Sequence, residues 1–208
     1  MPFVPSPGVA QAEVIQLIDG QRCENVFHYK QAGATDYNTA QLTALATALL
    51  AYFGNATIKG LYPTTWSVIE CRCVDLSEEF GPAVTLTPGS AIVGTRAGAQ
   101  LPNNCALVLT KRTDLRGRSF RGRMYFGPLT EADVTGNVVA GATVTSIVSN
   151  MQGLKDLTDA GSVHHFMQVL SMRGSGLPRP AGLATQVNNL TSDGVLDSQR
   201  RRLPGRGS

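Results

Sequence analysis

The stretch TTWSVIECRCVDL, residues 64–76, decides the fold. It alternates in polarity and is rich in β-branched and aromatic residues, so it predicts a long strand. Trp66, Val68, Glu70, Arg72 and Val74 share one face and Ile69, Cys71 and Cys73 the other. Upstream the period changes. Leu42, Leu45, Ala46, Leu49, Leu50 and Phe53 recur at helical spacing, with Asn38 or Thr39 placed to cap the start and Gly54-Asn55 to end the run, which predicts a helix over 39–53. Further upstream, 12–17 and 22–30 read as two strands joined by an Asp19-Gly20 turn. Downstream, 83–86, 91–93, 105–110, 120–126, 163–172 and parts of 184–199 read as shorter strands. A second helix fits 137–152 through Val144, Ile147, Val148 and Met151, against the β propensity of Val138 and Val139 and a cost of about 1 kcal/mol for Gly141.

No internal repeat and no alternating βαβ order is visible, so a parallel sheet is disfavoured. The expected fold is mostly β: an antiparallel β-sandwich, single jelly-roll-like, with two inserted helices at about 39–53 and 137–152. One domain over 11–199 suits the 208-residue length, flanked by an extended N-terminal arm, 1–10, and an Arg-rich C-terminal tail, 200–208. Pro2, Pro5 and Pro7 keep the arm out of a helix.

A 42% apolar share excludes a disordered chain, and no apolar run nears the roughly 18–20 residues of a membrane helix. The opening residues carry neither a basic segment nor an apolar core of the kind a secretory signal needs. Cys23, Cys71, Cys73 and Cys105 lie in strand-like segments, which fits reduced buried thiols. The i, i+2 spacing of Cys71 and Cys73, with no third ligand nearby, makes a poor zinc site.

Motifs for catalysis are absent: no GxSxG, no phosphate-binding glycine loop ending in Lys-Ser/Thr, no HExxH and no EF-hand spacing. His164 and His165 are adjacent and face opposite sides of a strand. His28 stands alone. Glu78 and Glu79 fit a solvated loop. The expectation is therefore no enzyme, no metal and no cofactor.

One segment does stand out. KRTDLRGRSFRGRMYFG, residues 111–127, packs Lys111, Arg112, Arg116, Arg118, Arg121 and Arg123 around Phe120, Tyr125 and Phe126. Arg holds phosphate or carboxylate in a bidentate fork, so this cluster suits nucleic acid or an acidic patch on a neighbouring subunit. The tail RRRLPGRGS adds Arg200, Arg201, Arg202 and Arg206, and a flexible arm of this kind can neutralise phosphates without sequence preference.

ENVFHYKQAG (24–33), LPNNCALVLTKRTDLRGRSFRGRMYFGPL (101–129), VTGN (134–137) and VLDSQRRRLPGRG (195–207) together resemble the capsid proteins of small, mostly environmental viruses. The likeness spans most of the chain and is best at Leu115–Leu129. It implies a subunit of an icosahedral shell, made in the host cytoplasm and resident in the virion, whose main partner is itself, with viral RNA or DNA as a second partner and no membrane. The chain departs from many such coats in one respect. Residues 1–21 hold no Lys or Arg, so charge neutralisation falls to the cluster and the tail. Two other readings compete: a phage head or tail component forming tubes, rings or a decoration layer, and a nucleic-acid-binding module whose affinity falls steeply with salt.

Overall fold

The computed structural model describes residues 6–31, 36–98, 104–114, 119–135, 138–157, 162–173, 179–180, 186–191 and 196–197. In chain order these form β1 (Val9–Ile18), β2 (Gln21–Lys30), α1 (Thr39–Gly54), α2 (Ala56–Lys59), β3 (Trp66–Asp75), β4 (Ala83–Leu86), β5 (Ile92–Val93), β6 (Asn104–Asp114) and β7 (Ser119–Phe126). A 3-10 turn (Glu131–Asp133) is followed by β8 (Val134–Thr135), β9 (Val138–Val139), α3 (Gly141–Asp156), β10 (Ser162–Arg173), β11 (Arg179–Pro180), β12 (Gln186–Thr191) and β13 (Leu196–Asp197).

The expected first hairpin is present. Ile18 pairs with Gln21 across a two-residue turn in which Asp19 (φ 51°) and Gly20 (φ 77°) are both left-handed, the geometry whose twist matches that of the strands it joins. Helix α1 also forms where its spacing predicts. Asn38 caps it with a reciprocal pair of 3.0 Å bonds, its side chain accepting from the Gln41 amide while its own amide donates to the Gln41 side chain. Leu42, Leu45, Ala46, Leu49 and Phe53 form the buried face.

The long strand forms as well, but its faces are not those of simple alternation. Ile15 pairs with Glu70 and Gln16 with Val68, so Ile69 is an extra residue against β1. This bulge shifts the phase: Trp66 and Val68 point inward before it, and Cys71, Cys73 and Asp75 after it. Glu70, Arg72 and Val74, expected beside Trp66, therefore lie on the opposite face.

The strands join in one antiparallel sheet, ordered β13-β12-β10-β6-β7-β2-β1-β3-β4, with β11 added to β10 and β5 to β3; β8 and β9 pair separately. The fold is mostly β and antiparallel, as expected, and helices cover the inner face of the sheet. Ala10, Ala12, Val14, Phe27, Tyr29, Cys71 and Cys73 share one core with the buried residues of α1 and with Val144, Ile147 and Leu154 of α3. Tyr62 stacks on Trp66 at 4.1 Å and meets Phe126 at 4.9 Å, tying the first part of the chain to β7. Across the helices, the Tyr52 hydroxyl donates to the Asn150 carbonyl at 2.7 Å and the Asn150 side chain donates to the Tyr62 hydroxyl at 3.1 Å.

Helix α3 runs over 141–156 rather than 137–152, because Val138 and Val139 are used as β9 against Val134 and Thr135. The sheet order also holds a regularity that the sequence hides. Hairpin β1-β2, helix α1 and strands β3 and β4 give the order β4-β3-β1-β2; hairpin β6-β7, helix α3 and strands β10 and β12 give β7-β6-β10-β12. The two halves are mirror sequences of strands joined at β2 and β7, and their main helices are each 16 residues long. A pseudo-two-fold axis normal to the sheet passes between β2 and β7, so a repeat exists in topology where none was expected.

Candidate functional site

The basic segment is a β-hairpin. Thr113 pairs with Ser119, Arg112 with Phe120, Lys111 with Arg121 and Leu109 with Arg123, so β6 runs well past the Thr110 expected as its end. The register sets Lys111 opposite Arg121. Arg116 and Arg118 lie outside the described residues, as do Arg200, Arg201, Arg202 and Arg206.

Arg123 has a role inside the fold. Its Nε donates to the Glu24 carbonyl at 3.1 Å and its Nη2 meets the Glu24 carboxylate at 3.3 Å, at the bridge where Val26 pairs with Arg123. From Glu24 the charges continue across the outer face. Arg22 lies 3.8 Å from Glu24 and 3.3 Å from Glu70, and Arg72 lies 2.6 Å from the same Glu70 oxygen. Ile15, whose partners on its two sides are Glu24 and Glu70, is fully buried although it is on the outer face. The stems of this ladder roof it. Half-exposed pairs of this kind contribute at most about 1 kcal/mol each, so the ladder covers Ile15 more than it holds the sheet together. Arg123 is thus committed to the seam between the halves.

Asn25 completes that seam. Fully buried, it donates to the Val14 carbonyl at 2.9 Å and accepts from the Tyr125 amide at 2.6 Å, linking β7 to β1 across β2. Asn25→Ala leaves a buried amide and a buried carbonyl without these partners, and we expect a loss of about 2–3 kcal/mol in urea unfolding.

A site the sequence did not single out lies at Asp133. Its carboxylate receives both terminal nitrogens of Arg96 at 3.0 and 2.5 Å, the Thr130 amide at 2.7 Å, the Thr130 hydroxyl at 2.9 Å and the Thr143 hydroxyl at 2.8 Å. Burial acts to raise this carboxyl, but the Arg96 guanidinium and the threonine donors outweigh it and hold it below the ordinary carboxylate range. Asp133 therefore fastens the segment after β5 to the start of α3. Arg96, 37 residues from Asp133, gave no signal in the sequence.

The four cysteines carry free thiols. Burial pushes Cys23 up to about 11 and Cys105 up to about 12, while the hydrogen bond shared with Cys73 and then burial raise Cys71. These thiols stay protonated at neutral pH and are poor nucleophiles. Among the described residues no three His, Cys, Asp or Glu side chains gather as a metal site needs, and no helix is long and apolar enough to cross a membrane. His28 lies 5.3 Å from the Phe120 ring, and His164 and His165 pair with Thr113 and Arg112 of β6. No family model, curated protein or solved structure matches the chain.

Proposed function

We propose that this chain is a viral coat protein that self-assembles into a closed icosahedral shell around the genome, a structural role in the virion without catalysis. The observation that carries the reading is the placement of the segment with the strongest capsid likeness. Residues 101–129, which end in the block of best likeness at 115–129, supply the β6–β7 hairpin, whose β7 is the middle strand of the sheet order, and the sequence of residues 111–121 holds five basic residues against one acidic. Like charge gathered at a strand end is relieved by an anionic surface, which a shell provides in a neighbouring subunit or in packaged nucleic acid. A plate of one sheet backed by helices is also a workable shell wall, with its outer face open to neighbours. The non-catalytic role is supported by Asp75 and Asp133, whose buried carboxylates are occupied by donors from the fold itself, and by thiols held protonated.

Electron microscopy and light scattering of the purified full chain test the proposal. We expect closed particles of uniform diameter. A stable 22.1 kDa monomer at every pH and salt concentration would overturn it. Open tubes or rings would replace it with the phage head or tail reading.

A further inference from the structure

The sheet order ends at β4, which pairs with β3 alone. In an antiparallel ladder each residue sends its N–H and C=O to the same side, and the sides alternate along the strand. The phase here is fixed by the Asp75 amide, which donates to the Pro82 carbonyl at 3.0 Å. Pro82 therefore turns its backbone toward β3, and so do Val84 and Leu86, the partners of Cys73 and Cys71. Ala83 and Thr85 turn their amides and carbonyls outward, where they meet no partner among the described residues. Both residues are exposed, while the Val84 and Leu86 side chains pack against the core.

An open edge is a template for another strand, and proteins ordinarily guard one with a charge, a bulge or a proline. This edge carries none of these on its outer side. Residues 80–95, which include β4 and β5, contain no Asp, Glu, Lys, Arg or His. The β3–β4 register runs without a bulge, and Pro82 lacks its N–H on the side that faces β3, which leaves the outer side unobstructed. Next to the strand, Phe80 stands 93% exposed, far more than any other large apolar side chain among the described residues. Its turn is held by the Asp75 carboxylate, which accepts from the Tyr37 amide at 3.2 Å and from the Ser77 amide at 3.1 Å. Past the other end of β4, a Cβ at Gly89 would meet nothing within 4 Å, so the surface there is open.

We propose that β4 pairs with β4 of a second copy of this chain, antiparallel across a two-fold axis normal to the sheet, so that two subunits share one continuous sheet. A strand edge is complementary to itself under such an axis, and an edge without charge meets its own copy without repulsion. With Val84 on the axis, Ala83 of each copy lies opposite Thr85 of the other, and their outward groups make four N–H to C=O bonds. The same register carries Phe80 of each copy to Pro88 of the other, and sets Glu78 and Glu79 against Ser90 and Gly89 rather than against like charge. It repeats between subunits the operation that joins the two halves at β2 and β7 within one. The proposal rests on the self-assembly reading and names one contact of the assembly.

Sedimentation velocity on the full chain, below the concentration at which particles form, gives the pair affinity. Thr85→Pro removes two of the four bonds and none to β3, so it should weaken pairing about tenfold or more with melting little changed. Phe80→Ala should weaken it by about the same factor. If Thr85→Pro does not fold, Ala83→Lys with Thr85→Lys takes its place, since these exposed positions would then set like charges opposite each other across the axis. Hydrogen exchange reads the edge directly: the Ala83 and Thr85 amides should exchange fast in the dilute monomer and slow on pairing. Pairing indifferent to the edge variant or to Phe80→Ala overturns the proposal. So do pairs in which both amides stay fast, and so does slow exchange in the dilute monomer, which would mean that the chain covers its own edge. Electron microscopy separates this from the coat reading: shells built by a variant whose edge no longer pairs sink this contact alone, and edge-dependent pairs that never close into shells sink the shell alone.

Discussion

Gly94→Ala should destabilise the protein by more than about 4 kcal/mol, lowering its melting temperature by roughly 8–16 °C or preventing folding outright. A Cβ at this position would lie 2.1 Å from the Pro63 carbonyl oxygen and 2.3 Å from that of Tyr62. Neither atom can retreat cheaply. The segment is laced to its neighbours by backbone bonds from Gly94 to Trp66 at 3.0 Å, Thr95 to Lys59 at 2.9 Å and Arg96 to Tyr62 at 2.9 Å. Moving Tyr62 also disturbs its stacking on Trp66 and the bond it accepts from Asn150. Thermal unfolding followed by circular dichroism measures the effect, and Gly89→Ala is the control. A Cβ at Gly89 meets nothing within 4 Å, so that variant should melt within a degree or two of the parent. A Gly94→Ala protein that also melts with the parent would show that the close approach of 94 to 62–63 does not exist in solution.

Asp133→Asn should cost about 3–5 kcal/mol at neutral pH, because it leaves the Arg96 guanidinium, only 24% exposed, without its counter-charge. The pH dependence has a definite sign. The folded-state carboxyl lies below its unfolded value of about 3.9, so the unfolded chain takes up the proton more readily. The stabilisation is complete above about pH 4–5 and is lost as the pH falls through the lowered folded value. The Asn variant has no such proton to bind. Urea midpoints of the two proteins should therefore differ widely at pH 7 and draw together near pH 3, and a gap that stays constant over that range would place the origin of the cost outside the charge.

These two sites show where sequence reading stops. The Asp19-Gly20 hairpin and α1 were legible because their causes are local: two left-handed turn positions, a cap three residues from its partner, a repeat of 3.6 residues. The faces of β3 were misread because a bulge at Ile69 is stabilised by β1, and nothing within residues 64–76 announces it. Sheet order was hidden for the same reason. Neighbours such as β2 and β7 are chosen by long-range burial, and a mirrored arrangement of strands needs no similarity between the residues that build it. At the candidate site, the density of Arg between 111 and 123 was plain, but density does not say which charges are already committed. Arg123 is engaged by Glu24, 99 residues earlier, and that commitment is visible only once the halves are joined. Phe80 passed unnoticed because an aromatic next to two acids is ordinary in sequence and becomes notable only when its surroundings prove to be water.

The mirrored strand order changes what a single subunit is. The two halves meet along one antiparallel seam, as separate polypeptides meet in a sheet-extended dimer, yet the chain between β5 and β6 joins them covalently. That linkage holds the second half near the first at an effective concentration of about millimolar, so the seam does not dissociate on dilution. In a shell of the kind we propose, particles could come apart completely while this innermost pairing persisted in every released chain. Disassembly would then return a ready-made building block, and reassembly would begin from a plate rather than from two half-sheets searching for each other.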